Sequence, residues 1–376
     1  LLGILVCTEI NKVGEIMRKR VMWIDIARGI AMLSVIVGHS LFYYVSSDVG
    51  RYIYAFHMPI FFILSGYLYR EKAYAKELKG AAKNLLLPYY ATCLVMIAVF
   101  FVAQLKTPWL VNYPASFSDL VSAIFYGIGA DSRLPFPAHV DSIGAIWLLL
   151  AMAIALQLFN LIIVFTKRLK SKRLVRVFII CLLAILGKLI ATNWLLPLSL
   201  NAALFSLVFL YIGYLLQEQQ LLEDISWKIF IVALFSWGLA ASNQMFLLVS
   251  VGASDTLLAI LGAVGGSIVV IKLSQLIATK KVVDSTLGTF GRLSIIVLCF
   301  HDVDLTYSQV PQMIMAADFT QNLIVKIIIV NLYRLIIPVL AVLLVPRIPG
   351  VRSLYLNRQY PFLKRKPDLV VKKKTN

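Results

Sequence analysis

Charge is what this 376-residue sequence has least of, since only 14% of its residues are Asp, Glu, Lys or Arg. Acidic side chains are scarcer than basic ones, 18 against 36. So low a charged fraction beside 60% hydrophobic residues excludes an ordinary soluble domain. Cysteine is rare as well. Cys7, Cys93, Cys181 and Cys299 show no CxxC spacing, and the last three lie in apolar runs, which argues against a disulfide framework or a thiolate metal cluster. The four histidines never form HxxxH or HxxH. The nearest carboxylates (Asp141, Asp302, Asp304) are not at ligand spacing on one helical face, so a metal site is not indicated. The absence of GxGxxG and Walker sequences removes dinucleotide-binding and P-loop chemistry.

What the chain does contain is long apolar runs along its whole length, the signature of an all-α polytopic membrane bundle. Run length gives about ten transmembrane helices, near 23–44, 52–69, 85–105, 143–166, 174–192, 195–216, 229–248, 255–277, 290–306 and 323–345. The net charge of +18 would suggest nucleic acid in a soluble protein. Here the basic residues gather in "REKAYAKELKGAAK" (70–83), "KRLKSKRLVR" (167–176) and the tail from Arg347 to Lys374, as cytoplasmic loops do. "VSSDVG" (45–50) and residues 302–322 contain no Lys or Arg, so an even number of spans with both termini cytoplasmic puts every basic segment inside. The segment 106–142 is too polar to cross, and "FSDLVSAIFYGI" within it has the spacing of an interfacial or re-entrant helix. "LGAVGGS" (261–267) supplies small residues for close helix contact. Residues 1–19 begin without Met and read as an N-terminal extension, with Met17 or Met22 as the expected start. Residues 20–346 form the membrane domain, and 347–376 a basic cytoplasmic tail.

Polar residues inside such runs are costly and therefore informative. In "RGIAMLSVIVGH", Arg28 and His39 are eleven positions apart, which at about 100° per residue returns to within roughly 20° of one face. The same separation spans roughly 16 Å of helix axis. Asp25 shares that side, and an Asp25–Arg28 pair that merely anchors the helix end is the plainer account. His57, His139 and His301 also fall at or near the outer ends of spans. Each alone is most simply a packing residue. Together with His39 they suggest proton transfer, because a desolvated imidazole stays neutral and can take a proton from a hydroxyl. On the inner side Lys72, Lys76, Lys79 and Lys83 recur at helical spacing. They serve either the positive-inside signal and anionic lipid, or a phosphate clamp for a nucleotide-bearing donor with Arg28 above it.

"DIARGIAMLSVIVGH" resembles the first-helix signature of the acyltransferase-three family of integral membrane O-acyltransferases, an arginine followed by a histidine. "FHMPIFFILSGYLY", "LKGAAKNLLLPYY", "IGAIWLLLAM", "LFSLVFLYIGYLL" and "LGTFGRLSIIVLCFH" resemble later blocks of that family, in the expected order. The likeness covers roughly residues 20–345, and its closest flavour is the single-domain, fucose-acetylase-like type. It implies an O-acetyltransferase of a bacterial plasma membrane, with no permanently bound cofactor and acetyl-CoA as donor substrate. The acceptor would be a hydroxyl of a cell-surface glycan or lipid-linked sugar, and nucleic acid would not be a partner. By the same resemblance His39 and Arg28 are the catalytic pair. Arg28, Lys76, Lys79 and Lys83 would hold acyl-CoA. The lysines stand where many members carry paired arginines, and they lack the bidentate guanidinium fork. On the acceptor side His57, His301, Trp147 and Asp302 are candidates.

Two other classes compete. A transporter or flippase of a lipid-linked saccharide would share the spans and buried polar residues, but would be expected to show two related halves. A membrane sensor would more naturally carry a soluble output domain.

Overall fold

The computed structural model describes residues 21–111, 113–133 and 139–362. The predicted extension 1–19 and the end of the basic tail lie outside these residues.

Among the described residues the fold is helical apart from a two-residue antiparallel pairing of Ser132–Arg133 with His139–Val140 and two isolated bridges, Leu110 with Ser308 and Leu247 with Gly252. Helix α1 spans Met22–His39, α2 Asp48–Phe56 and α3 Pro59–Tyr67. Helix α4, Tyr74–Ala81, passes through a π turn at Ala82–Leu86 into α5, Leu87–Ala103. Then come α6, Phe117–Tyr126, α7, Trp147–Thr166, and α8, Lys172–Ala191. Helices α9, Leu200–Glu218, α10, Trp227–Asn243, and α11, Thr256–Ile277, follow. A π turn at Asp284–Gly288 leads into the short α12, Thr289–Arg292, and α13 covers Ser294–Tyr307. The chain continues through α14, Val310–Ala316, α15, Leu323–Leu344, and α16, Val351–Tyr355.

Seven helices among the described residues are long and apolar enough to cross a bilayer, or eight if one bent pair counts as a span. This differs from the ten or so read from apolar run length, for three local reasons. The run 52–69 is not one helix, because the chain breaks at His57–Met58 and Pro59 opens a new one. Proline suits a first turn, where its missing N–H costs nothing. The run 229–248 lies in a helix that stops at Asn243 and is 17 residues long from Trp227. The run 290–306 belongs to the bent pair, Asp284–Arg292 and Ser294–Tyr307, whose axes differ by 75°. Run length is blind to such breaks, since neighbouring helices can satisfy the freed backbone groups. The helix expected in 106–142 does form, as α6. Ser116 and Asp119 close a capping box at its start, and Gly127 ends it in the left-handed conformation.

Helix α1 is the centre of the bundle. It packs against α2, α3, α11, α12, α13 and α15, and 56% of it is buried. Its approach to the bent pair is backbone to backbone. A Cβ on Gly291 would lie 1.6 Å from the Asp25 carbonyl oxygen, and one on Gly29 would lie 2.1 Å from that of Leu287. Only glycine permits this contact, and it fixes the bent pair against the Asp25–Arg28 turn.

Candidate active site

His39 is the last residue of α1, and Ser40 closes the helix with its N–H on the Ile36 and Val37 carbonyls and its hydroxyl on Ile36 at 2.7 Å. Termination brings the imidazole to a cavity of about 490 Å³. The cavity is walled by α2 and its end (Tyr54, His57), by the segments before α6 (Tyr113) and before α7 (Ser142), and by Trp147. His39 Nδ1 lies 3.1 Å from His301 Nε2, with the two rings nearly parallel. One of these nitrogens donates and the other accepts. With Nδ1 occupied by His301, the nitrogen that His39 has left for the cavity is Nε2. His301 is fully buried on α13 and stands behind His39.

His57 has an assignable tautomer. Its Nδ1 lies 2.9 Å from the Ile53 carbonyl, which only accepts, so Nδ1 carries the proton and Nε2 keeps a lone pair. Tyr54 packs edge-on between the histidines, 4.6 Å from His57 and 6.5 Å from His39 by ring centroids. Across the cavity Tyr113 donates to Asp131 at 3.4 Å. Burial, then the Asp131 and Asp141 carboxylates, push its hydroxyl above the usual tyrosine range, so it remains a neutral donor.

Asp302 does not line the cavity. It is fully buried, and its Oδ1 accepts from the Ala145 N–H at the start of α7. Gly144 sits with φ +80°, where a Cβ would lie 2.1 Å from that oxygen. Asp302 thus ties the turn just before α7 to α13 and shapes the floor on which Trp147 and His301 stand. His139 is exposed, 3.4 Å from Asp141, and takes no part in the cavity wall. Three of the four histidines therefore converge.

The other predicted residues lie at the opposite end of the bundle. Helices α3 and α7 begin beside the cavity and run away from it, so the segments that follow them share the far end. Lys167 pairs with Glu71 there at 2.7 Å, and the Lys72 N–H donates to Asn160 of α7. Lys72 itself is taken by Glu77. Lys76, Lys79 and Lys83 are exposed on α4 and its π turn. Arg28 is half-buried on the first turns of α1, against the bent pair, whereas α4 packs on α7. Arginine and lysines thus flank one end from different elements. Helix α1 carries Arg28 near that end and His39 at the cavity.

Sequence reasoning missed two residues here. Arg292, next to the Gly291 contact, is held by Asp284 at 2.9 Å and Thr289 at 2.6 Å beside the Arg28 turn. Arg334 of α15 is 2% exposed, and its charge reaches His39, His301 and Tyr54. A lone arginine inside "VNLYRLIIPV" is the signal that would have found it.

A family model described as an acyltransferase domain matches residues 21–346, most of the chain. Comparison with curated proteins and with solved structures returns no match.

Proposed function

Because the chain belongs to the acyltransferase-three family over residues 21–346, we propose that it transfers an acetyl group from acetyl-CoA to a hydroxyl of a cell-surface sugar or polysaccharide. The observation that carries this reading is the placement of His39. It closes the central helix, faces a cavity of about 490 Å³ and is backed at 3.1 Å by His301, while Arg28 marks the other end of that helix.

In this reading the Arg28 end is cytoplasmic, as its basic segments suggest. Arg28 and the exposed Lys76, Lys79 and Lys83 attract the phosphates of CoA, with Arg292 close by. The extended pantetheine arm covers the roughly 16 Å between Arg28 and His39 and delivers the thioester to the cavity. The acceptor enters from the extracytoplasmic side. Trp147 offers an apolar ring to a sugar face, and the His57 lone pair and the Tyr113 hydroxyl offer hydrogen bonds that orient it. His39 Nε2 takes the proton of the attacking hydroxyl. The new C–O bond forms as the C–S bond breaks, and the proton ends on the thiolate, giving free CoA. Asp302 has no direct role in this scheme and holds the floor. The setting is a plasma membrane.

The test is the acetyl content of surface glycans, read by mass spectrometry in a strain lacking the gene. Wild type is expected to restore glycan acetylation, and Arg28→Ala at equal membrane abundance to restore under a tenth of it. Full acetylation without the gene contradicts the proposal. So does a deletion that stops export of the glycan while leaving its acetylation intact, the result expected of a transporter.

A further inference from the structure

Behind the histidine pair, away from the cavity, α13 and α15 enclose charged groups that the scheme above leaves unused. Asp304 follows His301 by three positions on α13, so the two project toward the same side of the helix. Asp304 is 5% exposed and Arg334 2% exposed. Asp304 Oδ2, Arg334 Nε, Arg334 Nη1 and His301 Nδ1 are all buried without a hydrogen-bond partner. Asp304 is the foremost charge acting on Arg334, and Arg334 in turn the foremost charge acting on Asp304. Tyr333 and Ser308, 2.7 Å apart, hydrogen-bond the Asp304 carboxylate.

A guanidinium and a carboxylate buried this deeply cost several kcal/mol each unless they face one another. Chains seldom keep such a pair inside a membrane for packing alone. Here Asp304 shares a helix side with the imidazole that supports His39, and the Arg334 charge reaches both histidines. We propose that Asp304 and Arg334 are positioning residues for the His39–His301 pair. The Asp304 carboxylate takes the His301 Nδ1–H, directly or through one water, and the Arg334 guanidinium offsets part of that carboxylate's charge at the histidines. His301 Nε2 is then an acceptor and receives His39 Nδ1–H. The His39 Nε2 lone pair is left facing the cavity, as a base requires. When His39 takes the acceptor's proton on Nε2, the added positive charge is shared toward Asp304, and the proton later passes to the CoA thiolate. The inference rests on the acyl-transfer reading for its purpose, but its geometry can be tested without any acceptor.

The titratable and charged groups facing the pair are Tyr54 and His57 from α2 and its end, Asp304 from α13, and Tyr333 and Arg334 from α15. Diethylpyrocarbonate acylates neutral imidazole, so its rate at His39, followed by peptide mass spectrometry from pH 2 to 8, reports the pair's protonation. The full-length protein in nanodiscs serves as sample. Asp304→Asn removes an anion and is expected to move the half-maximal pH of His39 labelling down, on the order of one unit. Arg334→Gln removes a cation and is expected to move it up by a similar amount. The double variant returns near wild type, and Asp304→Glu and Arg334→Lys hold the wild-type midpoint. A merely structural role would raise labelling at every pH without opposed shifts. Unchanged midpoints, shifts of the same sign, or a His39 that the reagent never reaches would overturn the proposal. Opposed shifts in a protein without acyl-transfer activity would uphold the positioning and refute the transfer.

Discussion

His39→Ala lowers acetyl-CoA-dependent acyl transfer by about 10³-fold or more, while His57→Ala lowers it by about tenfold. The two histidines line one cavity, yet their chemistry is unequal. His39 has a second imidazole at 3.1 Å to share an incoming proton, so it can change charge state during turnover. A positioned general base is worth about 10²–10⁴ in rate. His57 has its Nδ1–H fixed on the Ile53 carbonyl and offers only a lone pair. One hydrogen bond to an acceptor hydroxyl is worth about 0.5–1.5 kcal/mol, which reaches about tenfold in affinity at its upper end. The loss in His39→Ala is therefore in kcat, with the KM for acetyl-CoA held within about twofold, and the loss in His57→Ala is in acceptor KM. Steady-state rates of thiol release from acetyl-CoA separate the two. A His39→Ala protein with wild-type turnover would show that the base lies elsewhere.

Gly291→Ala destabilises the protein by about 3 kcal/mol and removes most activity, although the residue touches no part of the cavity. Its Cβ would meet the Asp25 carbonyl oxygen at 1.6 Å, and both partners are backbone, so no side chain can swing away. Overpacking of this kind costs about 1–3 kcal/mol or more. Relief requires α12 to move off α1. Helix α13 follows α12 after one residue and bears His301, so the same displacement loosens the His39–His301 contact. Gly80→Ala is the control, because nothing lies within 4 Å of a Cβ there. Within helix α4 that change is expected to stabilise by up to about 1 kcal/mol. Thermal unfolding of the two variants in detergent, beside acetyl-CoA turnover, reads the contrast. Equal melting temperatures for Gly291→Ala and wild type would mean that the close contact does not exist.

Much of the site is legible in the sequence because helices impose a ruler. Arg28 and His39 sit eleven positions apart in an unbroken apolar stretch, and α1 keeps them on one rod from Met22 to His39. The likeness of the "FHMP" and "LCFH" blocks to a family brings His57 and His301 into view. Their convergence is not legible, since the His39–His301 contact joins positions 262 apart. Nothing in "FHMP" announces that the span stops at His57, or in "TFGRLS" that a helix turns by 75°. Both breaks depend on what neighbouring helices offer to the backbone. Asp302 illustrates the opposite error. Proximity to His301 in the chain suggests a place in the cavity, whereas successive residues on a helix point apart, and its carboxylate caps α7 instead. Arg334 was open to the same reasoning as Arg28, a charged residue where the chain should be apolar. What the sequence withholds is its neighbour, because Asp304 lies on another helix.

An acetyl-CoA analogue with a photoreactive group in its acyl chain, added to the purified protein and mapped by mass spectrometry after irradiation, bears most directly on the shared path along α1. The expected cross-links fall on His39, Tyr54 or Trp147 at the cavity, are competed by free CoA, and are lost in Arg28→Ala. Cross-links confined to the Arg28 end, on α4 or the bent pair, would contradict a thioester delivered along the helix, as would cavity labelling unaffected by Arg28→Ala.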